Sequence, residues 1–303
     1  MAHPWFRFGT GVRTLLAAAA WWLGTAHGTA LGPVAVVGIL EGRATLLRPQ
    51  GKLELAEGVV LRESDIVETE PAAFVQIEFD DGLRLGLGES SRLMLLPAPE
   101  KPAGDVARVR LLQGWMKLTP GSDKPPPGQY LTAQAAIGSL AGAGVVYGDA
   151  QRFALFVETG TLGVAERSAG AVARQARAGE FVSGRSGAAF ASAARPSPEF
   201  IERMPRLFRD ALPARAAKFR DRPTAPRAIG QVSYDDVAEW LRAEALVRVP
   251  MIELWRARLS DRAFRSSVLA NLEHHPEWRA LVVPPKKPPS RPASQAAASA
   301  PAT

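Results

Sequence analysis

The 303-residue chain contains no cysteine. That absence excludes disulfides, thiol catalysis, cysteine metal sites and lipid attachment at an N-terminal cysteine. Histidine is scarce too, with only His3, His27, His274 and His275. An export signal ending at Gly28 would leave the last two. Adjacent helix positions point about 100° apart, so His274 and His275 cannot share a metal as an i, i+4 pair would. Their expected role is a protonated cap at a helix C-terminal end. No metal and no cofactor is expected. The chain also has no Ser/His/Asp order and no Gly-x-Ser-x-Gly elbow. Gly138–Gly144 lacks the Gly-Lys-Ser/Thr ending of a phosphate loop, so its glycines are expected to let strands approach or bulge. Asp65, Glu78, Asp80 and Asp81 are the carboxylates from which a glycoside-hydrolase pair would be drawn. Asp80 and Asp81 are placed as turn formers, however, and Glu78 falls on the polar face of a strand. The inventory therefore points away from an enzyme.

Charge is missing from one stretch. No Asp, Glu, Lys or Arg lies between Thr14 and Leu40. Arg7 and Arg13 precede the apolar run Leu15–Leu23, and small residues stand at Ala26 and Gly28, the pattern of an export signal over residues 1–28. Left uncleaved, the same stretch is long enough for the roughly 20 residues of a membrane span, which would associate the chain with the membrane. Its glycines, Pro33 and threonines suit an anchor poorly, and cleavage is the expectation.

What the chain does have is strand periodicity. Val75, Ile77 and Phe79 fall on one face of a strand, and Phe74, Gln76 and Glu78 on the other, predicting one buried side. Leu83, Leu85 and Leu87 resume the apolar phase after Asp80-Asp81-Gly82. For the two strands to share a core face, Phe79 must oppose Leu83, Ile77 oppose Leu85, and Val75 oppose Leu87. That requires a three-residue loop closed by a left-handed residue, and Gly82 occupies that position.

Asp65-Ile66-Val67-Glu68-Thr69, the spaced apolar residues, Asp81-Gly82 and the following Leu-x-Leu with Ser91-Arg92-Leu93 resemble the FecR domain. The likeness extends from about Val36 to about Phe190, through Val109–Gly114, Thr132-Ala133 and Val157–Leu162. The chain departs from the family pattern at Ser64, where Gly is usual, at Leu83, where Ser is usual, and at Gly142-Ala143, where Gly-Thr is usual. The resemblance implies the periplasmic β domain of ferric-citrate-type regulators, found also in stand-alone envelope proteins. About a dozen residues precede the apolar run, too few for a folded cytoplasmic domain. The expected function is therefore that of an exported, non-catalytic binding or scaffold module of the periplasm; a membrane-anchored envelope sensor is the alternative reading, and an envelope carbohydrate-active enzyme the next.

The fold expected is mainly β, with short strands and hairpins arranged as a sandwich, barrel or solenoid-like sheet over 34–194. A small basic α-helical region follows over 195–283, and then a disordered Pro/Ala/Ser tail over 284–303. Proline-rich loops break the strands at Pro97–Pro102 and Pro120–Gly128. Helices are expected from Ser197-Pro198 through about Phe208, from Ser233, from Pro250, and from Ser260-Asp261 to Pro276. Residues 29–194 hold 16 Lys/Arg against 18 Asp/Glu, whereas residues 195–303 hold 19 against 12. In an exported protein, that basic third fits an envelope protein or an anionic cell-wall polymer, with no nucleic acid. Trp115, expected to be partly exposed at a strand turn, and Arg256, Arg258, Arg262 and Arg265 are the candidate partner-binding residues. Trp240 and Trp255 are expected in a core.

Overall fold

The computed structural model describes residues 33–98, 106–121, 128–167 and 171–283. The expected export signal and the Pro/Ala/Ser tail lie outside the described residues, as does most of both proline loops. The chain runs through β1 (Pro33–Glu41), β2 (Ala44–Arg48), β3 (Gly51–Glu54), β4 (Val60–Arg62), β5 (Ile66–Thr69), β6 (Phe74–Phe79), β7 (Arg84–Leu87) and β8 (Arg92–Leu95). A long strand, β9 (Ala107–Thr119), leads into β10 (Gln129–Leu131), β11 (Ala135–Ala141), β12 (Gly144–Gly148), β13 (Arg152–Val157), β14 (Thr161–Glu166), β15 (Arg174–Arg177), β16 (Phe181–Arg185) and β17 (Ala191–Ala193). After these come α1 (Pro198–Arg203), β18 (Arg227–Gly230), α2 (Tyr234–Leu241), α3 (Ala245–Trp255), α4 (Arg262–Ala270) and α5 (Arg279–Val282). The fold is mainly β with a small helical C-terminal region. Among the described residues no helix is long and apolar enough to cross a membrane.

The strands form two ladders that share β9. One runs β4-β1-β6-β7-β9-β12-β13-β16-β17. The other runs β18-β3-β2-β5-β8-β9-β10-β11-β14-β15. Residues of β9 up to Gln113 pair with β8, and residues from Gly114 onward pair with β12. Gly114 has φ +102°, and a Cβ there would stand 2.1 Å from Ser91 Oγ. Ser91 Oγ in turn accepts the Trp115 N–H at 2.8 Å. The crossing point is thus a glycine packed on a buried serine. The two halves share a wiring: β1 pairs with β4 in one ladder and β2 with β3 in the other, while β13 pairs with β16 and β14 with β15 in the same way.

Leu46, Ile77, Leu85, Leu93, Val109, Met116, Val146 and Leu155 are among the residues of the main core, drawn from both ladders. The hairpin forms as its phase requires: Val75 opposes Leu87 and Ile77 opposes Leu85. The Phe79 N–H donates to Leu83 O at 2.9 Å, and Gly82 has φ +85°. The expectation of one solvated face on β6 is overturned, because all six residues are buried. Gln76 donates to Pro213 O at 2.8 Å, and Glu78 accepts the Arg215 and Ala216 N–H groups at 2.7 and 2.9 Å. A segment 137 positions away in sequence covers the face that period-two reading leaves to water.

Each ladder carries a second apolar cluster. Phe74, Trp115, Val145 and Phe181 are covered by Phe200, Met204 and Phe208. Leu47, Ile66, Met94, Leu96 and Leu131 are covered by α2 to α5 through Trp240, Trp255, Phe264 and Trp278. Trp240 and Trp255 are therefore core residues, as expected. Helix ends follow their caps. Ser233 and Asp236 make a reciprocal capping box on α2, and Asp261 accepts the Ala263 and Phe264 N–H groups at the start of α4. Three boundaries differ from expectation. The fourth helix, expected to run to Pro276, ends at Ala270. The first helix stops at Arg203, and Arg206–Arg209 forms a separate 3₁₀ turn after Pro205. The third begins at Ala245, with Pro250 inside it. The carbonyl that this proline leaves without its helical donor belongs to Leu246, a residue 51% exposed.

Polar pegs fix the helical layer. Glu244, immediately before α3, accepts from Arg110 Nε at 2.8 Å and from Arg167 Nη1 at 2.7 Å. Burial opposes ionisation of Glu244, but Arg110 and Arg167 together hold its carboxyl below the usual range. His275 is fully buried, and its Nε2 lies 2.9 Å from Tyr234 Oη. This corrects the expected protonated cap: burial lowers the imidazole below its ordinary 6.5, and Nδ1 has no partner.

Two predictions follow from these packings. Gly114→Ala meets both a left-handed backbone and the Ser91 side chain, so it is expected to destabilise by about 3 kcal/mol or more in urea unfolding. Stability equal to the parent chain would disprove the crossing-point role. Because the folded imidazole of His275 is depressed, the unfolded chain takes the proton first as pH falls. Stability from a neutral His275 is complete above about pH 6.5 and declines toward the folded value, by up to about 1.4 kcal/mol per pH unit. Tryptophan-monitored urea unfolding from pH 7.5 to 5 is expected to show that slope, and His275→Gln to flatten it. An unchanged slope in the variant would assign the pH dependence to other groups.

Candidate functional site

Three of the four carboxylates singled out in the sequence hold backbone in place. Asp65 is buried and paired bidentately with Arg48, Nε to Oδ1 at 2.7 Å and Nη2 to Oδ2 at 2.6 Å. Its Oδ2 also accepts the Arg62 N–H at 2.8 Å. Ser64, at φ 66°, takes the left-handed conformation that suits the glycine of the resembled pattern. Glu78 clamps the 213–216 segment as described. Asp81 accepts the Leu83 N–H at 3.0 Å and pairs with Arg108 at 2.5 Å, while Asp80 is exposed at the turn. None of these four lines either of the two largest cavities among the described residues.

Arg256, Arg258, Arg262 and Arg265 sit around the junction of α3 and α4. Arg258 is tied down, donating to Val232 O at 2.8 Å, Gln231 Oε1 at 3.0 Å and Asp261 Oδ2 at 2.9 Å. Arg265 reaches Val282 O at 3.3 Å, and Arg256 reaches Glu253 at 3.5 Å. Arg256, Arg262 and Arg265 are exposed. None of the four lines a cavity described below.

Trp115 is brought to a different place. Only 6% of it is exposed, which corrects the expected partial exposure. The cause is α1. Ser197 Oγ accepts the Phe200 N–H at 3.2 Å and Pro198 starts the helix, so Phe200 is laid on the sheet. Its ring centroid lies 5.0 Å from that of Trp115 and 5.0 Å from that of Phe181. Tyr147 completes the group, 5.0 Å from Trp115.

Beside this aromatic group is a cavity of about 430 Å³ between α1 and strands β13, β16 and β17. Its floor includes Trp115, Phe181 and Ala154, and its rim carries Arg152, Arg185 and Arg203 with Ser183, Ser197 and Glu199. Arg152 and Arg203 place their guanidinium carbons 5.4 and 5.6 Å from the Tyr147 ring centre. The Tyr147 hydroxyl donates to Asp149 Oδ2 at 2.8 Å, and Arg152 Nε donates to the same oxygen at 3.0 Å. Burial pushes the Tyr147 phenol up, and Asp149 adds to the rise. Burial opposes ionisation of Asp149, yet the Gln151 and Arg152 N–H groups with Tyr147 and Arg152 keep it below the usual carboxylate range. A phenol kept in its neutral form beside three guanidinium groups is an arrangement suited to binding an anion.

A second cavity, about 450 Å³, lies under residues 207–212, where Lys117 is paired to Glu158 at 2.8 Å and Arg84 donates to Leu212 O at 2.7 Å. Its cations are already engaged. Of the rim and floor of the first cavity, sequence reasoning singled out only Trp115. The available signal was a phase: Arg152, Ala154 and Phe156 alternate outward on one strand, and Phe181, Ser183 and Arg185 on another. Without the pairing register, nothing in the sequence brings the two arginines together.

No family model matches the chain, and no curated protein matches it. Solved structures similar to it include two crystal structures described as a putative anti-sigma factor from Parabacteroides distasonis, at 17% and 16% identity and a TM-score of 0.36 in each case. The matched region covers 43% of this chain and 59% of each of those chains.

Proposed function

We propose that the chain is an exported FecR-like binding module of the bacterial cell envelope, which works by contact with an anionic cell-wall polymer or an envelope protein rather than by turnover. The observation that carries this reading is the cavity beside Trp115, with an aromatic floor and three arginines on its rim. It is supported by the use made of the carboxylates: Asp65, Glu78 and Asp81 each hold neighbouring backbone. The resemblance of Asp65–Leu95 to the FecR pattern and the signal-like N-terminus favour the periplasm as the place of work. Fold likeness by itself supplies no ligand, so the reading stands on the cavity.

Two measurements test it. Purified chain is expected to sediment with isolated cell-wall sacculi that retain their anionic polymers and to be released as salt rises, because exposed charge contacts are screened. No sedimentation at low salt, or equal sedimentation with polymer-stripped sacculi, would overturn the polymer reading. N-terminal sequencing of the protein from fractionated cells is expected to give a periplasmic species beginning near Thr29 or Leu31. An intact Met1 in the inner membrane would replace a soluble module with an anchored one.

A further inference from the structure

β13 and β16 pair antiparallel, and their register puts Arg152 directly opposite Arg185, Ala154 opposite Ser183 and Phe156 opposite Phe181. The Ser186 N–H donates to Gln151 O at 2.9 Å one step along, so Arg152 and Arg185 fall at a non-hydrogen-bonded position, where facing side chains stand closest. Like charges directly opposite on a sheet are unfavourable. Arg203, from α1, joins them over Tyr147. Only part of this charge is answered within the chain: Asp149 takes Arg152, and Glu199 takes Arg203 at 3.1 Å. Among the described residues Arg185 has no ion-pair partner.

The facing pairs form a graded trough, charged at one end, small in the middle and aromatic at the other. From residue 152 to residue 156 it extends roughly 13 Å along the strand. Ala154 and Ser183 leave the space that α1 roofs with Phe200. An anionic group at the arginine end with a ring in the middle matches this gradient. The polar groups of the rim, Ser183, Ser197 and the Glu199 carboxylate, suit a ring bearing hydroxyls rather than a bare aromatic acid. We infer that the Arg152–Arg185 trough binds a sugar acid, with its carboxylate across the two facing arginines and its ring over Ala154 and Ser183. The inference rests on the binding-module reading and names the ligand class of its cavity.

Isothermal titration of the full chain tests it with four probes: free glucuronate, glucose, inorganic phosphate and a glucuronate-containing polysaccharide. Glucuronate is expected to bind, and glucose and phosphate to bind at least about tenfold more weakly, the worth of a charge-assisted contact or of the ring. Arg185→Ala removes an exposed side chain without an ion-pair partner, so it is expected to keep the parent melting temperature and lose about tenfold or more in glucuronate affinity. Arg177→Ala, an exposed arginine on β15 that lines neither cavity, is expected to leave affinity unchanged. Glucuronate tighter than the polysaccharide would identify the free sugar as the source, and the reverse a polymer unit; either supports the site. Absence of glucuronate binding, equal binding of glucose or phosphate, or equal losses in the two variants would overturn it. Sacculus sedimentation unaltered by Arg185→Ala, alongside failed glucuronate binding, would discard the trough and assign polymer binding to another surface of the chain.

Discussion

A single strand belonging to two sheets sets the geometry of this protein, and its change of sheet depends on the contact between Gly114 and Ser91. Ser91 is completely buried, and its side chain fills the space that a Cβ on residue 114 would need. On one side of that contact β9 pairs with β8, and on the other with β7 and β12. The next residue is Trp115, whose backbone is held by the same serine. The indole therefore lands on the outer face of one ladder, where α1 covers it and where the arginine cavity opens. A local conformational demand on one glycine thus positions the floor of the candidate site.

A two-sheet core leaves two outer faces, and both are apolar here. The C-terminal region meets that requirement with two separate covers, the Phe200–Phe208 segment on one ladder and α2 to α5 on the other. Each cover is located by an acid as well as by apolar contact, buried Glu78 for one and half-buried Glu244 for the other. Glu78 receives the backbone N–H groups of the first cover, and Glu244 delivers the second to Arg110 and Arg167. Apolar burial is non-directional and does not choose a position along a face. A desolvated carboxylate does, because its hydrogen bonds are made in one placement and the group is left unpaired in others.

Features fixed by neighbours in sequence were legible, and features fixed by remote partners were not. The Phe74–Leu87 hairpin could be registered from its phase and Gly82 alone, since a turn and two alternating runs determine it. The caps of α2 and α4 were visible for the same reason. The second buried face of β6 was hidden, because Gln76 and Glu78 look like solvent-facing polar residues until Pro213, Arg215 and Ala216 arrive. Strands such as β10, β15 and β17 have only three or four residues and few large apolar side chains, so their pairing and not their pattern makes them strands. His275 is a further case: its place beside a helix end suggests a charged cap, whereas it is buried against Tyr234, 41 positions earlier, and burial lowers its imidazole below the ordinary value.

The same distinction separates the two arginine groups. Arg256, Arg258, Arg262 and Arg265 are close in sequence and draw attention as a cluster, yet Arg258 and Arg265 spend donors on the backbone of their own helical layer. Arg152, Arg185 and Arg203 are far apart in sequence and converge only through the β13–β16 register and the placement of α1. Folding gains nothing from setting Arg152 against Arg185, and Asp149 answers only one of them. An unfavourable pair kept at the mouth of an aromatic cavity is better explained by something outside the chain than by anything within it. That asymmetry, rather than the total of basic residues in the C-terminal third, is the electrostatic feature that points to a ligand.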